Sequence, residues 1–192
     1  MKGAVANDTY NNDWYKQQIG ASRLKQVCWY FVNGLFFINP LNPSSGLKRA
    51  LLRLFGGKIG KGVILKPGVN IKYAWKLEIG DHAWIGEKAW IDNLGKVRIG
   101  SSACLSQGAM LLTGNHDYTS PRFDLMVKDI ILEEGVWIGA QAIVCPGVVC
   151  ASHAVLSAGS VATGPLQAYQ VYQGNPAVIV RERQIKILQP PT

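Results

Sequence analysis

The sequence predicts an all-β fold, a triangular parallel β-solenoid built from six-residue repeats. Three observations support this prediction. Ile-Gly pairs begin at Ile59, Ile79 and Ile99, at intervals of 20 residues. Within each interval an aliphatic residue returns every sixth position, and a small or β-branched residue usually follows it four places later. After a break, the same period runs from Leu132 to Ala162. A period of six fits neither an amphipathic helix nor an alternating strand.

Each hexapeptide supplies one short strand and one corner, and three hexapeptides form one coil. The aliphatic residue points into the prism, the small residue fits where the wall bends, and glycine allows the corner conformations. Stacking buries the aliphatic side chains in one continuous core, which no single coil achieves. The residues expected to point inward are Ile59, Leu65, Ile71, Ile79, Ile85, Ile91, Ile99, Leu105, Leu111, Leu132, Ile138, Val144, Cys150, Leu156 and Ala162. Cys150 is therefore interpreted as a small core hydrophobe.

Composition excludes several classes of function. The net charge of +8 favours anionic partners, but the Lys and Arg residues are scattered without a recognition motif, which argues against nucleic acid. No cysteine spacing matches a zinc site. His82 and His153 fall on one predicted face but three coils apart, too distant to share an ion, so no metal is predicted. The apolar run from Val27 to Ile38 is too short to span a bilayer.

Several stretches resemble a known family. IGKGVI, IGDHAWIGEKAW and VWIGAQAIVCPGVV resemble the hexapeptide-repeat acyltransferases. TGNHD, combined with VWIGAQAIVCPG and the tail YQGNPAVIVRER, is most similar to the colanic-acid-type exopolysaccharide O-acetyltransferases. The resemblance implies a left-handed parallel β-helix, a homotrimer with active sites between subunits, a saccharide acceptor, and acetyl-CoA as co-substrate.

Three segments are expected. Residues 1–55 lack the hexapeptide and form an N-terminal extension, partly helical from Leu24 to Ile38. Residues 56–165 form the β-helix with an extruded loop at 114–131, and residues 166–192 form a tail with a C-terminal helix from Val178 to Leu188. The extension is expected to cap the open end of the prism. Binding of the acceptor and peripheral membrane contact remain alternatives.

The resemblance implies that His116 is the catalytic residue; from the residues alone, a surface histidine in a loop without function is the alternative. It lies in the polar, aromatic segment that interrupts the repeat, and an outward loop on a rigid scaffold is a common place for function. Histidine accepts a proton near neutral pH, as a general base for an attacking hydroxyl must. Direct transfer then needs no serine or cysteine nucleophile. The group that orients the imidazole stays open among Asp117, Asp124, Glu133 and a backbone carbonyl.

The resemblance also implies binding residues. For acetyl-CoA it implies Trp137 beside the pantetheine arm, backbone contacts at Ala140 and Ala158, and Thr163 near the adenosine portion. Relatives often continue that threonine with lysine, whereas this chain has Gly164-Pro165, so Arg181 and Arg183 are the candidates for the phosphate contact. Packing of a basic C-terminal extension against a neighbouring subunit is the alternative for these two arginines. The acceptor candidates are Asp92, Asn93, Asn115 and Asp117, with a structural polar corner as the alternative for each.

The predicted function is acetyl-CoA-dependent O-acetylation of a sugar hydroxyl in exopolysaccharide biosynthesis. Two alternatives remain, namely acetylation of an antibiotic or other small alcohol, and a non-catalytic binding or assembly module. The expected location is the cytoplasm, with the inner face of the membrane as a variant.

Overall fold

A computed structural model describes residues 4–186 and shows a parallel β-solenoid with helices at its N-terminal end. Three sheets form its walls. The first contains β1 (Lys58–Ile59), β4 (Leu77–Ile79), β7 (Val97–Ile99), β12 (Ile130–Leu132) and β15 (Val149–Cys150). The second contains β2 (Ile64–Leu65), β5 (Trp84–Ile85), β8 (Cys104–Leu105), β13 (Trp137–Ile138), β16 (Val155–Leu156), β18 (Gln170–Gly174) and β19 (Ala177–Glu182). The third contains β3 (Asn70–Ile71), β6 (Trp90–Asp92), β9 (Met110–Leu112), β14 (Ile143–Val144) and β17 (Val161–Ala162).

The register confirms the predicted stacking. Ile59 pairs with Ile79, which pairs with Ile99, and the stack continues through Leu132 to Cys150. Every inward residue predicted from the period is buried, and so are the small residues at the corners. Because strands of successive coils hydrogen-bond in parallel and every inward position faces its own equivalent, one apolar column runs the length of the prism. Cys150 is completely buried in that column, and burial raises the pKa of its thiol to about 12.

The N-terminal segment is helical, as predicted. It contains a 3₁₀ turn (Asn7–Thr9), α1 (Asp13–Gln18), α2 (Arg23–Val32), which continues as a π-helical segment (Asn33–Ile38), and α3 (Ser45–Leu54). Ser22 and Ser44 cap α2 and α3 by accepting hydrogen bonds from the backbone amides of Lys25 and Leu47. Within residues 4–186 no helix is both long and apolar enough to cross a membrane.

Helices α2 and α3 lie across the first coil. Arg53 donates to the carbonyls of Ile59 and Gly60, and Arg49 donates to that of Val63. The buried Lys48 ammonium donates to the carbonyls of Leu65 and Lys66. At Ile71 in the third strand, the Trp29 indole donates to the backbone carbonyl and the Asn33 side-chain oxygen accepts from the backbone amide. These side chains satisfy edge groups that have no coil below them, which is why so many cations lie in this layer.

The predicted C-terminal helix is wrong. Residues 177–182 form β19, which pairs antiparallel with β18 across the turn at Gly174, and residues 183–186 have no regular structure. Val178, Ile179 and Val180 are β-branched and favour a strand, and β19 covers an edge of β18 that would otherwise be unpaired. Leu188 lies outside the described residues.

Candidate active site

The interruption of the repeat is a β-hairpin. Strands β10 (Gly114–His116) and β11 (Leu125–Val127) pair antiparallel, with His116 opposite Leu125. The prism resumes at Ile130, so the extruded segment ends at residue 129, two residues earlier than expected. The N-terminal segment holds the turn of the hairpin, because the Ala6 amide donates to the Pro121 carbonyl. The hairpin that carries His116 is therefore held in place by the N-terminal segment.

The His116 ring is held by a hydrogen bond and contacts two aromatic rings. Its Nδ1 lies 2.8 Å from the carbonyl oxygen of Phe123, and its plane stacks on the Phe123 ring with centroids 4.4 Å apart and 6° between planes. The Tyr10 ring also lies nearby, with its centroid 5.7 Å from that of His116 and 54° between the planes. A carbonyl oxygen only accepts, so this contact requires the proton on Nδ1. In the neutral imidazole, Nε2 then carries the free lone pair that a general base needs.

The orienting group is therefore the backbone carbonyl, one of the four candidates left open by the sequence. The Asp117 carboxylate instead accepts from the Thr119 hydroxyl and amide, which hold its pKa below its usual range. Asp124 accepts from Ser120, and Glu133 accepts from Ser152 in the next coil. No side-chain pattern could have revealed Phe123, because its carbonyl is aimed by a left-handed backbone with φ of 52°.

The four acceptor candidates separate in space. Asn115 and Asp117 flank His116 on the hairpin, and the Asn115 side chain accepts from the His116 amide. Asp92 lies one coil below, and its backbone carbonyl accepts from Thr113, the residue before the hairpin. Asn93 is completely buried, and both ends of its amide bond the backbone of Tyr73. That geometry favours the structural alternative for Asn93.

Asp92 lines an aromatic pocket of about 570 Å³ between α2 and the third sheet. Tyr30, Tyr73 and Trp90 form much of its wall, and Lys72 pairs with the Asp92 carboxylate at 3.2 Å. A carboxylate and a cation among aromatic faces offer both hydrogen bonds and flat apolar surfaces to a ligand.

A second cleft, of about 600 Å³, gathers most of the donor candidates. Trp137, Ala140 and Ala158 line it, and the Trp137 indole donates to Ser106 at 2.9 Å. Within the described part of the chain, the amides of Ala140 and Ala158 donate no hydrogen bond, although both border the cleft. Sequence reasoning missed Ser106, although the register that stacks Trp137 on Cys104 indicates it.

The remaining donor candidates differ. Arg181 is exposed on the rim of this cleft. The Arg183 guanidinium also borders the cleft but donates to the carbonyls of Gly135 and His153, so it links the corners at these two residues. Thr163 is exposed beyond β17 and is not among the residues that line the cleft.

The hairpin and the donor cleft lie on different corners of the prism. The corners from the second to the third sheet form the cleft, whereas the hairpin leaves the corner between the third and the first. No residue of the hairpin lines the cleft of the same chain.

No metal site is found in residues 4–186, because no three His, Cys, Asp or Glu side chains there form a cluster that could hold an ion. His82 and His153 both lie at corners with positive φ, and the His153 ring stacks on Tyr169.

Comparison with known proteins identifies the family, although no family model matches the chain. The chain is 38% identical to the putative colanic acid biosynthesis acetyltransferase WcaF of Escherichia coli over 164 residues, 85% of this chain and 90% of that protein. It is 25% identical to the galactoside O-acetyltransferase of Escherichia coli over 152 residues, 77% of this chain and 75% of that protein.

Solved structures show the same fold. A maltose O-acetyltransferase from Clostridium difficile superposes with a TM-score of 0.77 at 20% identity, covering 92% of both chains. A hexapeptide-repeat acetyltransferase from Vibrio cholerae, solved with acetyl coenzyme A, gives 0.71 at 22% identity, covering 90% of this chain and 89% of that one. Together with the extended similarity to WcaF, the repeat and the solenoid show that this chain belongs to the hexapeptide-repeat acetyltransferases.

Proposed function

We propose that this enzyme transfers the acetyl group of acetyl-CoA to a sugar hydroxyl during exopolysaccharide biosynthesis, with His116 as the general base. The observation that carries the proposal is the contact between His116 Nδ1 and the Phe123 carbonyl at 2.8 Å. It fixes the tautomer and leaves Nε2 to accept the proton of an acceptor hydroxyl. The similarity to WcaF, a putative colanic acid biosynthesis acetyltransferase, supports a polysaccharide as the acceptor.

We assign acetyl-CoA to the cleft at Trp137. Its pantetheine arm carries amide carbonyls, and the amides of Ala140 and Ala158 offer two free donors there. Small side chains let a ligand approach these backbone groups. Arg181 has a free guanidinium on the rim and is the residue assigned to the phosphate groups, whereas Arg183 and Thr163 have no direct role in this proposal. The acetyl-CoA complex of the Vibrio cholerae relative supports the same donor.

The acceptor is assigned to the aromatic pocket and the face of the hairpin above it. Aromatic faces stack on sugar rings, and the Asp92 carboxylate accepts hydrogen bonds from hydroxyls. Because the Asp92 carbonyl accepts from Thr113, one residue that lines this pocket lies one coil below the start of the hairpin. Asn115 and Asp117 then border the hydroxyl that reacts.

His116 takes the hydroxyl proton at Nε2 as the oxygen attacks the acetyl carbonyl, and returns it to the sulfur that leaves. Direct transfer is proposed because the structure offers no activated thiol near this path. A thiolate is the reactive form of cysteine, and burial raises the pKa of Cys104, Cys145 and Cys150. Cys28 is exposed on α2, at the far end of the prism.

A second copy is needed to complete the site. Within one chain the base and the donor cleft lie on different corners, so the hairpin of one copy must face the cleft of its neighbour. We therefore propose a homotrimer, in which closed rotational symmetry pairs the hairpin of each copy with the cleft of a neighbour and forms three shared sites. We place the enzyme in the cytoplasm, where acetyl-CoA is made, acting at the inner face of the membrane.

Two variants of His116 test the base. In His116→Asn the amide nitrogen can still donate to Phe123, and in His116→Gln it reaches the position of Nε2, but neither side chain accepts a proton. We expect kcat to fall by roughly 10²–10⁴-fold, with the KM for acetyl-CoA little changed. Release of free CoA thiol measures turnover, and molar mass and circular dichroism check the fold. Turnover within a few-fold of wild type in both variants would exclude the assignment.

The acceptor class needs a separate measurement. Purified enzyme is offered glycans, nucleotide sugars and small non-sugar alcohols, and mass spectrometry of the products identifies the acetylated molecule. Polysaccharide from cells with and without the gene should differ by acetyl groups. Preference for a non-sugar alcohol would overturn the polysaccharide assignment and leave the acetyltransferase chemistry intact.

A further inference from the structure

Charge is distributed unevenly along the prism. Residues 21–77 hold 10 of the 20 Lys and Arg residues and none of the 12 Asp and Glu residues, whereas residues 78–192 hold 8 and 10. No acidic residue occurs between Asp13 and Glu78. Because the coils stack in chain order, this asymmetry lies along the axis of the prism. The helical end carries a net charge of about +10 and the rest about −2.

The same end exposes apolar side chains. The relative exposure is 74% for Leu24, 85% for Leu41 and 77% for Leu54, and Val27 and Leu47 are also exposed. We call these five residues the basal surface. On α3, Leu54 lies about 160° around the helix from the completely buried Leu52, at 100° per residue, so it points away from the prism. On α2, Val27 lies about 200° from the buried Trp29.

Part of the positive charge at this end faces solvent. Lys48, Arg49 and Arg53 are committed to carbonyls of the first coil. Arg23 and Lys61 are exposed and make no ion pair within the described residues. The apolar residues of the basal surface therefore lie among exposed cations, and residues 21–77 contribute no acidic side chain.

We propose that the basal surface docks on an anionic lipid bilayer. Anionic headgroups complement the cations, and the leucines of α2 and α3 enter the boundary between headgroups and acyl chains. A second copy seated on this surface would bring two cationic ends together, which like-charge repulsion opposes. The inference depends only on this end of the molecule and holds whichever acceptor the enzyme uses.

Sedimentation of the full-length protein with vesicles tests the proposal. We expect it to bind vesicles of phosphatidylcholine mixed with phosphatidylglycerol and to remain unbound with phosphatidylcholine alone, with binding weakened by added salt. Replacing Arg23 and Lys61 by Gln should weaken binding about five-fold per cation. Leu47→Gln with Leu54→Gln should weaken it by about ten-fold or more, because both positions are helical and glutamine preserves the helix.

The matched control is Val178→Thr with Val180→Thr, which removes two exposed apolar groups from β19 at the opposite end of the prism. This control should bind vesicles like wild type. Equal binding to neutral and anionic vesicles, or no binding to either, would overturn the proposal. It would also be overturned if Leu47→Gln with Leu54→Gln changed the molar mass in solution but not vesicle binding, which would assign the surface to contact between copies.

Turnover separates this proposal from the proposed function. The Leu47→Gln and Leu54→Gln variant should acetylate a soluble acceptor at the wild-type rate while losing vesicle binding. In contrast, His116→Asn should bind vesicles normally and lose turnover.

Discussion

Gly139 offers a sharp test of how the coils form the donor cleft. It lies at the corner after β13, and a Cβ added there would lie 2.5 Å from the Ala158 nitrogen and 2.8 Å from the Ser157 carbonyl carbon. Ordinary contact begins at about 3.4 Å, so Gly139→Ala must separate the two coils locally by about 0.9 Å. The obstructing atoms are backbone and cannot rotate away.

Two effects follow from that displacement. Overpacking of this kind costs about 1–3 kcal/mol, which for a chain of this length lowers Tm by roughly 2–12 °C. The Ala158 amide also moves from its place in the cleft. Loss of one hydrogen bond of about 1 kcal/mol should raise the KM for acetyl-CoA about five-fold. The kcat should change little, because the pantetheine amide that this bond holds takes no part in the chemical step.

Thermal unfolding followed by circular dichroism measures the first effect, and CoA-release kinetics measure the second. Gly164→Ala is the matched control, since no atom lies within 4 Å of the Cβ that it adds. It reports the baseline effect of replacing glycine by alanine. If Gly139→Ala had the same Tm as the Gly164→Ala control and kept the wild-type KM for acetyl-CoA, this account of the corner would be refuted.

Three further predictions follow. Phe123→Gly keeps the carbonyl that accepts from His116 but removes the stacked ring, so kcat should fall about 2- to 10-fold with an unchanged KM for acetyl-CoA, and Phe123→Tyr should restore it. Arg53→Ala leaves the carbonyls of Ile59 and Gly60 without their donor and should lower the free energy of unfolding by about 1–2 kcal/mol, measured by urea denaturation, whereas a surface change such as Lys186→Ala should not. The hydrogen bond from Lys58 holds the pKa of Glu78 below its usual 4.5, so the stabilisation is present above that value and is lost as pH falls through the folded pKa. The difference in Tm between wild type and Glu78→Gln should therefore vanish in acid. Added salt should also reduce this difference, because Lys58 is exposed.

The register of the prism was predictable because it depends on side-chain volume at a fixed period. Ile59, Ile79 and Ile99 are 20 residues apart, and only a coil of that length brings each above the last. The end of the helical segment at Ile38 was predictable for a similarly local reason, since Pro40 cannot continue it. Sequence resemblance also singled out His116 and the Trp137 cleft, because both lie in motifs with characteristic residues.

The rest required the tertiary structure, because it depends on backbone atoms and on neighbours distant in the chain. The Phe123 carbonyl that orients His116 leaves no trace in side-chain identity. The burial of Asn93 depends on Tyr73 in the coil below. The segment after Pro176 reads as either helix or strand in isolation, and the open edge of β18 decides for the strand. Local sequence thus determined the coil and resemblance indicated the candidate base, whereas the contacts between coils decided which groups are free to act.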